Sequence, residues 1–140
     1  MKILVIDDEA EICNVISTCL IREGYEVFSA HNGREGLEMM CEVFPDLIIL
    51  DILMPDMNGF EVGERIKNDE LHKNIPIIIM TGNATAKEDK LKGYKTGAYL
   101  YLEKPFDIHE LIARINVILK PSKKKLTEIW EKSDTDIAEL

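Results

Sequence analysis

The chain has 140 residues, of which 46% are hydrophobic and 31% are charged, and its formal net charge at pH 7 is -9. The length suits one domain, and the composition is that of a globular protein and excludes a chain that is disordered throughout. Because so acidic a surface repels a phosphate backbone, we expect no direct nucleic-acid binding. The three lysines at residues 123–125 are the only basic run that could contact phosphates.

Five short apolar runs predict the strands of a sheet. Three of them, at residues 3–6, 47–50 and 77–80, are apolar without alternation, which is typical of strands buried on both faces of a parallel sheet. A weaker run at residues 26–30 and an alternating run at residues 99–102 complete the set, and both suit the edges of the sheet.

Segments with helical periodicity separate these strands. Four of them carry an apolar stripe that can lie on the sheet. The stripes are Ile12, Val15, Ile16, Cys19 and Leu20 in the first helix; Leu37, Met40, Cys41 and Phe44 in the second; Phe60, Val62 and Ile66 in the third; and Leu111, Ile112, Ile115, Ile118 and Leu119 in the fifth, which Asp107 opens as a cap with Glu110.

The predicted fourth helix, residues 85–95, differs from the others. It begins with a Thr85 and Glu88 capping box but offers few apolar side chains to a core, so we expect it to be weakly anchored. The alternation of strand and helix along the chain predicts an α/β fold, a doubly wound five-stranded parallel sheet with five helices and right-handed crossovers.

Charged and polar side chains follow four of the predicted strands. Asp7 and Asp8 follow the first strand, Asp51 the third, Thr81 the fourth and Lys104 the fifth. Because ligands of such sheets bind at the carboxyl ends of the strands, we expect these groups to share one site. Neighbouring carboxylates repel each other unless a cation stabilises them, and ligation by oxygen alone suits Mg²⁺.

These residue types suit phosphoryl transfer. Lys104 can neutralise a phosphoryl oxygen, the Thr81 hydroxyl and the backbone N–H of Gly82 can donate to others, and the Asp51 carboxylate can act as the nucleophile. Each residue also has a simpler explanation, since an acidic pair can cap a helix and a lysine can lie solvated in a loop. Their meeting at one edge favours the site.

Four blocks of this sequence resemble the signature of the response regulator receiver domain of two-component signalling. They are VIDDE at residues 5–9, DLIILDILMPDMNGFE at 46–61, IPIIIMTGNA at 75–84 and GAYLYLEKPFD at 97–107. The resemblance covers residues 1–120, which we expect to form the receiver domain, and it leaves residues 121–140 as a tail. It implies a flavodoxin-like sheet with the strand order 2-1-3-4-5.

The resemblance also implies residue roles. Asp51 would be the phosphoacceptor, Asp8 a direct Mg²⁺ ligand and Asp7 a ligand that acts through water, with the main-chain carbonyl of Leu53 as a further ligand. These assignments make Mg²⁺ the expected cofactor.

A second group of roles concerns the phosphoryl group and its read-out. The resemblance implies that Thr81 and Lys104 hold the phosphoryl group, that Pro105 follows a cis peptide bond, and that Tyr101 is the aromatic switch partner of Thr81. Many receivers place Ala or Ser where this chain has Gly82, which keeps the backbone N–H but loosens the chain.

The function implied is a phosphorylation-activated switch and not an enzyme in the ordinary sense. A histidine kinase or a phosphotransfer domain would phosphorylate Asp51, and the predicted fourth helix, fifth strand and fifth helix would present the change to a downstream protein. The acidic pair of winged-helix transcription factor receivers is absent at Tyr99 and Leu100, so we expect a monomer or a weak dimer.

Three alternatives stay open at this stage. The chain could be a receiver module of a larger regulator or kinase, or a scaffold that works without phosphorylation. It could also be a Mg²⁺ phosphohydrolase, although the DIL sequence at residues 51–53 lacks the second acid that would serve as general acid.

The remaining features have simpler interpretations. Cys13, Cys19 and Cys41 lack C-x-x-C spacing and are expected to be buried reduced thiols, and the histidines are expected at the surface. Without a signal-peptide pattern or an apolar run long enough to span a bilayer, we expect the cytosol and no membrane contact.

The tail, residues 121–140, begins with Pro121, which ends the preceding helix. Leu126, Ile129 and Trp130 recur at i, i+3 and i+4, which predicts a short amphipathic helix. A linker, a helix packed on the domain and a partner-docking segment are all compatible with this pattern, and Tyr99 with Leu100 offers a seat for a packed helix.

Overall fold

The structure is a computed structural model that describes residues 1–82 and 97–119. Its centre is a five-stranded parallel sheet with the order β2-β1-β3-β4-β5. The fold class and the strand order are as predicted, and the two less apolar strands lie at the edges. The strands are β1 (Lys2–Ile6), β2 (Glu26–Ala30), β3 (Leu47–Asp51), β4 (Ile77–Thr81) and β5 (Leu100–Glu103).

The described part of the chain contains four helices, of which three connect consecutive strands and the last follows β5. The last of them corresponds to the predicted fifth helix, whereas the predicted fourth helix at residues 85–95 and the tail at residues 121–140 lie outside the described residues. None of the four is long and apolar enough to cross a bilayer. The helices are α1 (Ala10–Arg22), α2 (Gly33–Val43), α3 (Gly59–Lys67) and α4 (Ile108–Leu119).

Two apolar layers cover the two faces of the sheet because side chains alternate along each strand. One layer joins α1 and α4 to the sheet through residues such as Val5, Ile49 and Ile78. The other joins α2 and α3 to it through Leu4, Leu50 and other buried side chains. Helices on both faces make the sheet doubly wound. The residues that end β3 and β4, Asp51 and Thr81, belong to neither apolar layer.

The helix faces differ in part from the predicted stripes. In α1 the buried residues are Cys13, Ile16 and Leu20, while Val15 is 56% exposed. The buried face therefore keeps Ile16 and Leu20 of the predicted stripe but is shifted toward Cys13, with Ile12 and Cys19 half-buried at its border. The expectation of buried thiols is right for Cys13, but Cys19 is half-buried and Cys41 is exposed.

The connection from α3 to β4 corrects another prediction. His72 was expected at the surface, but it is buried, with its ring 4.7 Å from that of Phe44 and its Nδ1 3.1 Å from Asp69 Oδ2. Phe44 ends α2 in a left-handed conformation, with φ of 51°, which takes its ring out of the predicted stripe and over the histidine. The fold of this connection, and not local sequence, decides the burial of His72.

Lys67 contacts the backbone just before β4 and just before β5. Its Nζ donates to the carbonyl oxygens of Ile75, at 2.8 Å, and of Lys73, at 3.0 Å, both of which precede β4. Its stem passes over Gly97, where a Cβ atom would lie 3.3 Å from Lys67 Cγ. Gly97 has a φ of 84°, which a residue with a side chain rarely adopts, so this turn before β5 requires glycine.

Candidate functional site

The order of the strands explains why the predicted site residues meet. The register pairs Ile6 with Leu50, so Asp7 emerges from β1 next to Asp51 at the end of the neighbouring strand β3. On the other side of β3, Thr81 ends β4. The backbone N–H of Lys104 donates to the carbonyl oxygen of Thr81, at 2.7 Å, and so fixes the lysine where β5 ends.

Lys104 lies at the centre of the cluster. Its Nζ is 3.1 Å from Asp7 Oδ2 and 3.5 Å from Asp51 Oδ1, and it is 3.6 Å from Glu9 Oε1. The peptide bond between Lys104 and Pro105 is cis, as predicted. One ammonium group therefore faces three carboxylates.

A second set of three carboxylates, those of Asp7, Asp8 and Asp51, forms a compact group. Asp7 is fully buried and Asp51 is 3% exposed, whereas Asp8 is exposed. Each of the three offers an oxygen, and these oxygens all lie within 4.8 Å of one another. Three hard anionic oxygens that one lysine cannot neutralise are a donor set that fits Mg²⁺, so the residues present agree with the predicted cofactor.

The ionisation of the site is shifted by its burial. Burial, together with the charge of Asp7, raises the pKa of Asp51 to about 7, although Lys104 opposes the shift. Burial by itself would lower the pKa of the Lys104 ammonium, but its hydrogen bond to Asp7 and the charge of Asp51 outweigh burial and raise it. Lys104 therefore stays charged at neutral pH, while Asp51 is close to its midpoint.

The other predicted residues surround this cluster. Thr81 is buried, Gly82 is exposed beside Lys104 at the rim of a cleft, and Leu53 is 59% exposed in the loop that follows β3. Tyr101 is buried and pairs in register with Ile79. Because alternate residues share a face, Tyr101 and Thr81 lie on the same face of the sheet.

Two residues that shape the loop after β3 were not predicted. Asp56 caps α2 across the loop, since its two carboxylate oxygens each accept a hydrogen bond of 3.0 Å, from the N–H of Gly33 and from that of Arg34. These bonds lower the pKa of Asp56. Gly59 donates to the carbonyl oxygen of Ile52 at 2.8 Å, and a Cβ there would collide with the carbonyl oxygen of Asp51.

Glu9 and Cys13 complete the surroundings of Asp7. The backbone N–H of Glu9 donates to Asp7 Oδ1, at 2.9 Å, and Cys13 Sγ donates to the Asp7 carbonyl oxygen, at 3.3 Å. Burial and the charge of Asp7 raise the pKa of the Cys13 thiol to about 11, so this cysteine packs and is not a nucleophile. The sequence signal for Glu9 was its place in the acidic run that follows β1.

A cleft of about 540 Å³ opens beside the cluster. Glu9, Gly82 and Lys104 lie at its polar end, and apolar side chains that include Val15 and Phe106 line the rest. The cleft therefore joins an apolar surface of α1 to Lys104, whose ammonium group contacts Asp7 and Asp51.

A parallel sheet of this order, with an acidic cluster and a lysine at its carboxyl edge, defines a doubly wound α/β domain with a candidate site for Mg²⁺ and a phosphoryl group. Residues 3–116 match the family described as the response regulator receiver domain, and the chain belongs to this family. The match confirms the family that was predicted from the sequence. Receiver domains are signalling switches of two-component systems rather than conventional enzymes.

Curated relatives extend this result. The chain is 37% identical over 133 residues to the DNA-binding dual master transcriptional regulator RpaA of Synechocystis, covering 91% of this chain and 55% of the relative. It is 39% identical over 118 residues to the phosphate regulon transcriptional regulatory protein PhoB of Pseudomonas aeruginosa, covering 84% and 51%. The chain thus spans about half the length of the curated relatives that it matches.

Solved structures agree with the fold. The chemotaxis protein CheY4 of Vibrio cholerae is 36% identical with a TM-score of 0.78, and the match covers 84% of this chain and 98% of that one. The response regulator TrrA of Thermotoga maritima, solved in complex with Mg²⁺-BeF, is 36% identical with a TM-score of 0.75 over the same shares.

The expectation of no direct nucleic-acid binding is wrong. It is overturned by the relatives, which are transcriptional regulators and one of which is named as DNA-binding. The net charge of -9 describes the 140 residues of this chain, whereas the match leaves nearly half of each relative uncovered. Repulsion of nucleic acid by an acidic segment does not decide what the rest of a longer regulator binds.

Proposed function

We propose that this chain is a phosphorylation-activated switch in which Asp51 accepts a phosphoryl group from a histidine kinase or a phosphotransfer domain. The observation that carries the proposal is the ion cluster in which Lys104 Nζ lies 3.1 Å from Asp7 Oδ2 and 3.5 Å from Asp51 Oδ1. A carboxylate that ends a strand beside a cation is placed to attack phosphorus and form an aspartyl phosphate. The proposed receiver unit is residues 1–120.

The proposed reaction needs little covalent help from the protein. One carboxylate oxygen of Asp51 attacks the phosphorus of a phosphohistidine, the N–P bond breaks, and its electron pair returns to the imidazole. The Lys104 ammonium neutralises charge on one phosphoryl oxygen. The Thr81 hydroxyl and the backbone N–H of Gly82 donate to the others, because both residues lie at the end of the strand next to Asp51.

The cation of this site is proposed to be Mg²⁺. Asp7, Asp8 and Asp51 would hold it, with the carbonyl of Leu53 as a further ligand, and their all-oxygen composition supports this assignment. When bound, Mg²⁺ supplies positive charge that stabilises the phosphoryl oxygens. The complex of TrrA with Mg²⁺-BeF is a property of that relative which supports the same chemistry here.

We expect Mg²⁺ to stabilise the folded chain because it relieves the repulsion among these carboxylates. At a concentration about a hundredfold above its dissociation constant, the gain is about 2.7 kcal/mol, or a rise in Tm of roughly 10 °C. Thermal unfolding in EDTA and in Mg²⁺ measures it. Asp8→Asn should lose most of the rise. Asp46→Asn should keep it, since Asp46 lies before β3 and accepts a hydrogen bond from the backbone N–H of Lys2. Equal rises in both variants would place the ion elsewhere.

The phosphorylation itself is tested by intact mass after incubation with acetyl phosphate. We expect one Mg²⁺-dependent phosphoryl adduct on the wild type, none on Asp51→Asn, and a normal adduct on Asp46→Asn. Asp51 ends β3 and Asp46 directly precedes it. Comparing the two variants therefore distinguishes loss of the phosphoacceptor from a general disturbance of β3. A protein that binds Mg²⁺ but forms no adduct would favour the scaffold that works without phosphorylation.

The read-out is proposed to run through Thr81 and Tyr101. A phosphoryl group adds negative charge and strong acceptors, which can draw the Thr81 hydroxyl toward Asp51. Tyr101 lies on the same face of the sheet, so a movement of Thr81 changes the space available to its ring. The affected surface would be the one formed by the predicted fourth helix, β5 and α4.

The phosphodonor is proposed to dock in the cleft beside Lys104. The cleft combines an apolar wall, which includes Val15 and Phe106, with a polar end at Lys104, whose Nζ is 3.5 Å from Asp51 Oδ1. An amphipathic helix that carries the phosphohistidine would place its apolar face on this wall.

The phosphohydrolase alternative remains less favoured, because residues 51–53 supply no second acid to protonate a leaving group. Catalysis by this chain is proposed to be limited to its own phosphorylation and dephosphorylation. Repeated turnover of an aryl phosphate would contradict this view, whereas a single adduct without turnover supports it. The names of the curated relatives favour transcription as the final output of the switch.

A further inference from the structure

A groove between β5 and α4 presents apolar side chains to solvent. Its volume is about 410 Å³, and Tyr99, Leu100, Val117 and Ile118 line it, with Arg114 at its rim. Tyr99 is 63% exposed and Val117 is 66% exposed, which is unusual for large apolar side chains that share one depression. We call this depression the β5–α4 groove.

We propose that the C-terminal segment, residues 121–140, folds back and docks in the β5–α4 groove through Leu126, Ile129 and Trp130. These residues recur at i, i+3 and i+4, and Ile137 continues the same helical face. An isolated helix of this length is marginal in water, so the pattern needs a surface to pack against. The inference does not depend on the proposed phosphorylation of Asp51.

The length of the connection allows this arrangement. The chain from residue 119 to residue 126 can span roughly 23 Å when extended, at about 3.3 Å per residue. The part of α4 that borders the groove, from Glu110 to Ile118, is roughly 12 Å long at about 1.5 Å per residue. A segment that leaves the end of α4 can therefore reverse direction at Pro121 and lie antiparallel along the groove.

The lysines at the start of the segment complement the charge at the end of α4. The last turn of α4 contains no basic residue, so within the described helix the negative end of its dipole lacks a matching cation. Residues 123–125 are all lysine and would lie beside this end in the folded-back segment.

The sole tryptophan, Trp130, reports directly on this docking. In the full chain we expect an emission maximum at shorter wavelength than in denaturing urea and weak quenching by acrylamide. Val117→Glu should shift the emission to longer wavelength and raise the quenching constant several-fold, because it places a charge in the groove. Ile21→Glu is the matched control, since Ile21 is a similarly exposed aliphatic residue on α1, and it should leave both readings unchanged.

A second variant tests the segment rather than the groove. Ile129→Asp leaves the described domain intact and should expose Trp130 to the same extent as Val117→Glu, with circular dichroism and Tm checking that both variants fold. The proposal is overturned if Trp130 is quenched in the wild type as freely as in urea, or if either variant leaves it protected. Protection that disappears on dilution, together with a dimer in sedimentation, would assign the groove to a second copy and overturn it as well.

Discussion

Gly59→Ala is expected to lower the free energy of unfolding by about 3 kcal/mol, because the new methyl group has nowhere to go. A Cβ at this position would collide with the backbone carbonyl oxygen of Asp51 and would lie 2.7 Å from Ile52 Cα. Backbone atoms at the end of a central strand cannot move aside as the end of a flexible side chain can. Urea unfolding, followed by circular dichroism, measures the change as a lower midpoint with an unchanged slope.

Gly82→Ala is the matched control for this substitution. No described atom lies within 4 Å of a Cβ at Gly82, so the extra methyl group should change the stability by less than about 1 kcal/mol. Equal midpoints for Gly59→Ala and the wild type would mean that the loop after β3 yields easily. Gly59→Ala should also slow phosphorylation by acetyl phosphate, because it displaces the backbone of Asp51. A small displacement of the nucleophile can cost up to roughly a hundredfold in rate.

Lys104→Met is expected to destabilise the Mg²⁺-free protein by about 3 kcal/mol at pH 8, because it leaves buried carboxylates without their cation. The lysine side chain is 13% exposed and contacts both Asp7 and Asp51, so solvent replaces it poorly. Lys73→Met is the control, since Lys73 pairs with Glu70 at the surface and exposed ion pairs contribute about 0–1 kcal/mol. Urea unfolding in EDTA compares the two variants.

The loss in Lys104→Met should depend on pH with a definite sign. The pKa of Asp51 in the folded chain is raised from 3.8 to about 7, so the folded state holds a proton that the unfolded state has already released. The stabilisation linked to this proton is complete below pH 3.8 and is lost as the pH rises through about 7. Removal of the ammonium raises this pKa further. The difference between variant and wild type should therefore be smaller at pH 5 than at pH 8.

A double variant decides whether the charge of Asp51 is the cause. Adding Asp51→Asn to Lys104→Met should recover a large part of the lost stability and flatten its pH dependence. A loss that is the same at both pH values, and unchanged in the double variant, would show that Lys104 stabilises the fold by packing alone.

The sheet and its acidic edge could be predicted because they depend on local patterns. Unbroken apolar runs mark the central strands, and the polar residue that follows each run marks its carboxyl end. The strand order came from the resemblance of the four sequence blocks and not from the runs themselves. That Asp7, Asp51 and Lys104 share one cluster then required only that parallel strands end at one edge.

The residues that were missed depend on contacts between distant parts of the chain. Asp56 caps a helix that begins at Gly33, and the sequence near Asp56 carries no sign of that partner. Gly59 is required by the backbone of Asp51, several residues earlier. In α1 both Cys13 and Val15 are apolar, so the periodicity alone could not decide which of them faces the sheet.

The contacts of Lys67 have a mechanical consequence for β5. The Lys67 side chain donates to the carbonyl oxygens of Lys73 and Ile75 before β4, and it also packs over Gly97 before β5. It therefore holds the beginnings of β4 and β5 next to each other. At the other end of β5, Glu103 pairs in register with Thr81, and the backbone N–H of Lys104 donates to the carbonyl oxygen of Thr81. β5 is therefore clamped to β4 at both ends, and a displacement of the end of β4 is expected to carry β5 with it.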